Sequence, residues 1–321
     1  MTIKTELCEI LKIEYPIVQG GMAWVSTAPL VSAVSEAGGL GVIGSGQMPP
    51  SLLEEEIIKV KETTDKNYGV NIMLMHPEVD TIFEIILRHK VPVVTTGAGN
   101  PGKYINPLKE NGTKVIPVVP TVALGKRMEK IGADAIIVEG TEAGGHIGEL
   151  TTMVLVPQVA DVVTIPVIAA GGIADGRGMA AAFALGAKGI QMGTRFMASE
   201  ECSINNAVKQ KLINSKDRDT MVTGRSTGHP CRVLKNKLSK ELDILDREGK
   251  LEEFEEQGAG TLRRAMVEGD IETGSLMAGQ ISGLISEIQP VKKIIEDTIE
   301  QCASVLSKAS QSVMEEEPTL G

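Results

Sequence analysis

Glu139 and His146 are the two residues whose setting in the chain most suggests acid–base chemistry. A β-branched run, Ala135 to Val138, reads as a buried strand and stops at the Glu139 carboxylate. A loop follows that holds Gly140, Gly144, Gly145 and Gly148, with His146 its lone histidine. Glycines let a backbone approach a ligand closely or take positive φ. An imidazole, with an ordinary pKa of about 6.5, donates or accepts near neutral pH. A strand ending in a charged residue before such a loop is where parallel α/β proteins place chemistry. The pattern points to a functional His146. A histidine that only hydrogen-bonds within a tight loop is the alternative at this stage.

Three further glycine clusters follow apolar runs: Gln19 to Trp24, Ala169 to Gly176, and Gln191 to Phe196. The last two fall after the seventh and eighth predicted strands, whose loops commonly build a phosphate site in barrels. Gly171, Gly172, Gly193 and Thr194 are therefore the expected phosphate cradle. Asn71, Thr95, Thr96 and Gln191 add uncharged groups that can hydrogen-bond a flat heterocycle. Met22 and Ala23 supply a small apolar wall. This set suits a flavin mononucleotide (FMN) better than a metal, because no His, Asp and Glu cluster at ligand spacing. His76, His89 and His229 are scattered and read as surface or loop residues. No GxGxxG stands between a strand and a helix, so a Rossmann site is not indicated.

Positioning these residues requires a repeating β/α frame. Strands are predicted at 15–18, 39–43, 68–72, 91–96, 114–119, 135–139, 166–170 and 189–192, each followed by a helix-length segment. That is the repeat of an α/β (β/α)8 TIM barrel. A doubly wound open sheet fits less well, because polar and glycine signals recur after nearly every strand. The expected organisation is an FMN-binding barrel over 1–199, and a small, mostly helical lid subdomain inserted after strand 8, over 200–270. C-terminal helices return to the barrel over 271–310, and a frayed tail covers 311–321.

The 321 residues are 42% hydrophobic but only 2% aromatic, so the core must be built from aliphatic side chains. Few aromatics and a net charge of −10 argue against nucleic-acid binding. Cys8, Cys202, Cys231 and Cys302 lie far apart, which suggests neither a zinc site nor a disulfide framework. With no signal-like or membrane-length apolar run, a cytoplasmic protein without membrane contact is expected.

QGGMAW, GVNIMLMHP, VVTTGAGNP, EGTEAGGHIGELTTM, PVIAAGGIADG, GIQMGTRF and MAGQISGLI together resemble the FMN-containing enoyl-[acyl-carrier-protein] reductases of bacterial fatty-acid synthesis. Those enzymes use the barrel of the wider nitronate monooxygenase superfamily. The resemblance runs from Glu6 to about Ile288. AGGH and QMGT alone would indicate only the superfamily, whereas the longer motifs favour the reductase.

The resemblance implies that His146 is catalytic, either polarising the thioester carbonyl or protonating the α-carbon. It implies FMN held by Gly20, Gly21, Met22 and Ala23, by Asn71 and Thr96, and by Glu139, Gly144 and Gly145. Ala170, Gly171 and Gly172, with Gln191, Met192, Gly193 and Thr194, complete that set. NADH or NADPH would be the reductant, received beside the lid. Glu139 is expected to orient its loop or to help bind a monovalent cation. The substrate would be an enoyl thioester on acyl carrier protein, and a homodimer is plausible for the family. The basic segment Arg232–Lys240 is the expected landing surface for the acidic carrier. An oxygen-using nitronate monooxygenase is the rival enzyme, and a flavin-binding protein without catalysis the rival outside enzymes.

Overall fold

Eight short aliphatic runs become parallel strands: β1 (Ile17–Gln19), β2 (Gly41–Gly44), β3 (Tyr68–Met73), β4 (Val93–Gly97), β5 (Lys114–Val119), β6 (Ile136–Glu139), β7 (Val167–Ala170) and β8 (Gly189–Met192). In the computed structural model, which describes residues 3–312, they form one sheet in the order β1-β8-β7-β6-β5-β4-β3-β2. The Gln19 N–H donates to Leu40 C=O at 2.9 Å, and the Leu40 N–H donates to Ile17 C=O at 2.9 Å. These bonds join β1 to the segment entering β2, so the sheet is a barrel and not an open doubly wound sheet. Helices lie outside it between successive strands, from Ala28–Glu36 round to Gly176–Ala184.

Alternation along each strand sorts the aliphatic residues into two layers. Val18, Val42, Val93, Ile116, Ile137 and Ile168 fill the barrel interior. Ile43, Val70, Ile72 and Val94 face the surrounding helices instead. Sequence periodicity did not reveal the helix Glu6–Leu11, because six residues are too few to show a helical repeat. Its Leu7 and Leu11 are fully buried and join the interior cluster, closing the end of the barrel opposite the loops that follow the strands. Asn67 Nδ2 fixes this plug by donating to Leu11 C=O at 2.8 Å.

After β8 the chain forms the helix Asn206–Ile213, a hairpin of Thr220–Thr223 with Cys231–Leu234, and the helices Lys237–Glu248, Leu251–Gly258 and Thr261–Glu268. The region is mostly helical, as expected, and adds a hairpin that the sequence did not announce. The hairpin is a structural centre of this region, and its second strand pairs with Gly145–His146 to make a three-stranded sheet. The surrounding charge hid the alternation of these two four-residue strands. A 3-10 turn, Gln280–Leu284, and the helix Val291–Gln311 complete the described chain. That last helix packs on Gly176–Ala184, whose Gly176 N–H donates to Gln301 Oε1 at 2.8 Å. Gln311 is still helical, and residues 313–321 of the expected tail lie outside the described residues. No helix among the described residues is long and apolar enough to cross a membrane.

Removing part of the plug should weaken the whole barrel. Leu7→Ala is expected to lower unfolding free energy by about 2–5 kcal/mol, the range for a fully buried leucine. Urea unfolding followed by circular dichroism would measure it, and a loss below about 1 kcal/mol would show that the plug is dispensable.

Candidate active site

The ends of the strands surround a cavity of about 770 Å³ at the C-terminal mouth of the barrel. Gly20 to Ala23 enter it after β1, Asn71 from β3, Glu139 from β6, Ala170 to Gly172 after β7, and Gln191 to Thr194 from the end of β8. Gly144, Gly145 and His146 form another part of the wall. Every predicted site residue except Thr95 and Thr96 therefore meets in one place. Thr96 is buried but does not line the cavity. Alternation along β4 turns Thr95 toward the barrel interior, where its Oγ1 accepts a hydrogen bond from Asn71 Nδ2 at 2.9 Å without lining the cavity itself.

The first glycine loop is held from beneath by a residue that sequence reasoning did not single out as a support. Gln19 is fully buried. Its Oε1 accepts from the Val42 N–H at 3.1 Å, while its Nε2 donates to Ser26 Oγ at 2.8 Å. Ser26 Oγ in turn accepts from the Met22 N–H at 2.9 Å. Glycine is required at 21, where an added Cβ would lie 2.3 Å from the Asn71 Cβ. The loop thus lies flat against β3 and leaves the space above it open. Across the cavity, Gly171 and Gly172 have φ of +84° and +74°, consecutive left-handed positions that other residues rarely adopt. They turn the backbone into a concave edge beside Gly193 and Thr194, a shape suited to an anion.

The His146 loop is held from three directions. Glu142 accepts from the Thr152 N–H through both carboxylate oxygens, at 3.1 and 3.0 Å, and so caps the helix Thr152–Ala160. Gln280 N–H donates to Glu142 C=O at 2.9 Å, and Gly279 N–H to Thr194 Oγ1 at 2.9 Å, which lays the MAGQ segment across both loops. Arg232 Nε donates to Thr141 C=O at 3.0 Å. Two expectations change here. The loop is oriented by Glu142, not by Glu139. Arg232 is buried and belongs to the loop's scaffold, so it is not part of an exposed landing surface.

The sequence profile of the nitronate monooxygenase family matches residues 4–85 and 80–301. The chain belongs to the nitronate monooxygenase family. FabK from Thermotoga maritima is 54% identical, with a TM-score of 0.95 over 97% of this chain and 100% of that one. A nitroalkane oxidase from Streptomyces ansochromogenes is 28% identical, with a TM-score of 0.80 over 94% of this chain and 99% of its own. A (3aS,4S,5R,7aS)-5-hydroxy-7a-methyl-1-oxo-octahydro-1H-indene-4-carboxyl-CoA dehydrogenase from Mycobacterium tuberculosis is 35% identical over 98% of this chain and 100% of its own. A probable nitronate monooxygenase from Staphylococcus aureus is 34% identical over 94% of this chain and 98% of its own. Like these relatives, the protein is an oxidoreductase.

Within this nitronate monooxygenase fold the titrating groups are pushed toward neutrality. Glu139 opens onto the cavity on one side and is otherwise enclosed, and this burial raises its carboxyl pKa from 4.5 to about 7. His146 stays open to the cavity, yet the surrounding walls partly desolvate its ring and lower its pKa, and the nearby His229 lowers it further. The two rings meet edge to face with centroids 6.4 Å apart. His229, read as a surface or loop histidine, is indeed exposed in a loop, and it also lines the same cavity. Nothing in its local sequence reports that neighbour, which the hairpin brings across from more than 80 residues away. The loop carrying it is fixed by Asp246, which accepts from the Arg225 N–H at 2.9 Å and the Ser226 N–H at 2.8 Å.

Two pH effects follow. Glu139 is raised in the folded state, so it stabilises the fold only at low pH; that benefit disappears as pH rises from 4.5 to about 7. In flavin-free protein, Glu139→Gln should therefore stabilise the fold increasingly over that window and level off above it. The gain should reach at most about 3 kcal/mol, measured by denaturant unfolding at several pH values. A gain independent of pH would show that Glu139 is ordinary. His229→Gln should move the His146 pKa up toward its usual value, as followed by NMR titration of the imidazole. A downward move would contradict the electrostatic coupling.

Proposed function

We propose that this oxidoreductase is an FMN-dependent enoyl-[acyl-carrier-protein] reductase using NADH or NADPH. The observation that carries the reading is the contrast in whole-length likeness. Identity is 54% with FabK, against 28% with the nitroalkane oxidase and 34% with the probable nitronate monooxygenase. The uninterrupted EGTEAGGHIGELTTM and VTTGAGNP motifs lead to the same choice.

The cavity residues fit FMN. The concave glycine edge at Gly171 and Gly172, with Gly193 and Thr194 beside it, suits a phosphate. The Asn71 and Gln191 amides can bond ring edges, and Met22 with Ala23 forms an apolar wall. Glu142 stands near Gly172, but its charge is directed to the N-terminus of a helix. FMN held there would supply hydride-transfer chemistry between a nicotinamide donor and the β-carbon of an enoyl thioester.

The protein's own part in the reaction falls to His146. Its lowered pKa leaves the imidazole neutral near pH 7, able to donate one hydrogen bond. Directed at the thioester carbonyl, that donor would stabilise the negative charge that develops as the β-carbon is reduced. A neutral histidine working as an electrophile has a precedent in triosephosphate isomerase. The strand pairing at Gly145–His146 would fix the backbone that carries the ring, which limits the reorganisation needed as this charge develops.

Anaerobic stopped-flow spectroscopy tests both halves. NADH or NADPH should bleach the bound flavin, and an enoyl thioester should restore its colour. His146→Ala should retain FMN and its reduction, yet slow reoxidation by the enoyl thioester about a hundredfold. Failure of both nicotinamides to bleach the wild-type flavin, with turnover of an alkyl nitronate in oxygen, would replace this reading with nitronate oxidation.

A further inference from the structure

A second cavity, of about 320 Å³, lies between the barrel mouth and the region that follows β8. It meets the barrel cavity at Gln47, His146, His229, Leu262 and Met277, which line both. His146 therefore stands at the junction of two chambers. Beyond it the walls are Val233 from the hairpin, Leu238 and Leu242 from the helix Lys237–Glu248, Phe254, Leu262 and Leu276. Val233, Leu238, Leu242, Leu262 and Leu276 are between 1% and 7% exposed, so the inner wall is sheltered and apolar, while the chamber opens outward past Glu255 and Ala259.

Much of its polar lining is already engaged. Asn236 Nδ2 donates to Ile271 C=O at 2.9 Å and Gly274 C=O at 2.7 Å, and Asn236 Oδ1 accepts from the Ser239 N–H at 2.9 Å. Ser239 Oγ accepts from the Asn236 N–H at 2.9 Å. Thr227 Oγ1 and Thr261 Oγ1 donate to Gly224 C=O and Gly258 C=O, each at 2.7 Å. A polar ligand would find few free partners there. Glu255, the one carboxylate on the lining, is exposed at the outer edge.

The helix that roofs the chamber provides an independent sign. Leu251–Gly258 buries none of its residues, although it carries Leu251 and Phe254. A helix normally gains its stability by burying such a face. Here Phe254 faces the void, so the roof lacks the apolar surface it should pack against. A void among aliphatic side chains costs stability until something apolar fills it.

We propose that this chamber holds the aliphatic tail of the acyl substrate, with Leu242 and Phe254 limiting its length. The proposal rests on the enoyl reductase reading and adds where the substrate's chain goes. The thioester would stop at His146, with its reacting double bond in the barrel cavity. The polar arm of the carrier would leave by the open mouth, and the chain beyond the β-carbon would turn into the apolar chamber. There it would replace the missing packing beneath Phe254.

Binding of saturated acyl thioesters to the flavin-loaded protein tests this without turnover. Butyryl, octanoyl and dodecanoyl N-acetylcysteamine thioesters would be titrated while the flavin absorbance is followed. Affinity should rise roughly fourfold for each methylene that enters the chamber, then level off. Leu242→Trp fills the chamber from the wall. Phe254→Trp fills it from a roof helix without buried residues, where misfolding is not a concern. Either variant should reduce the dodecanoyl-to-butyryl affinity ratio at least tenfold. A flat wild-type series, or equal weakening of all three ligands in both variants, would overturn the proposal. Absence of enoyl thioester turnover would instead count against the reductase reading, and the binding series would still report on the chamber.

Discussion

The pairing of two residues, Gly145 and His146, with Arg232 and Cys231 is the contact on which the site depends. A loop of that glycine content would otherwise sample many conformations, and ordering it has an entropic cost. Ladder hydrogen bonds to a hairpin, supported by Arg232 on Thr141 and Ile147 N–H on Pro230 C=O at 3.0 Å, give it one conformation. The same contact attaches the region after β8 to the barrel. Positioning His146 and forming the second chamber are therefore one structural event. Damage to the hairpin should be felt at the imidazole even though the barrel is intact.

The electrostatics of the cavity follow from the same enclosure. Desolvation disfavours charge, so it raises Glu139 and lowers His146, moving both toward neutral forms near physiological pH. Glu142, by contrast, has a helix N-terminus as its partner and needs no neutralisation by the ligand. The result is a pocket whose inner surface is mostly neutral hydrogen-bonding groups and glycine backbone. Such a surface can receive an anionic, planar cofactor without a dedicated buried cation, since backbone dipoles can meet a phosphate.

Much of this was legible in the sequence, for identifiable reasons. Each barrel strand is a short aliphatic run ended by glycine or a polar residue, a local signal that survives without tertiary information. Glycines at 171 and 172 declared their backbone role because few other residues can hold those angles. What was not legible depended on long-range pairing. Thr95 and Thr96 differ only in which face of β4 they occupy, and a one-residue error in register reverses that face. Gln19 carries no local sign of its role, yet it is a fully buried brace. His229 and Arg232 lay in a segment read by its charge, and only the hairpin shows that one faces His146 and the other supports its loop.

The relatives bear names for quite different reactions on one barrel, which locates where specificity can reside. The strand ends, the glycine edge and His146 supply a general arrangement: a site for a cofactor with a hydrogen-bonding group opposite. Such parts cannot by themselves distinguish a long acyl thioester from a short one, because the two are identical at the reacting atoms. On the proposed reading, discrimination by chain length would come from the space beyond His146, where a long substrate has to place its remaining atoms. That space is walled by Leu238, Leu242 and Phe254, all contributed after β8. Changes there leave the barrel ladder untouched, whereas changes at the strand ends would disturb it. A fold that separates the two can alter its substrate while keeping its chemistry, provided the hairpin continues to hold the His146 loop in place.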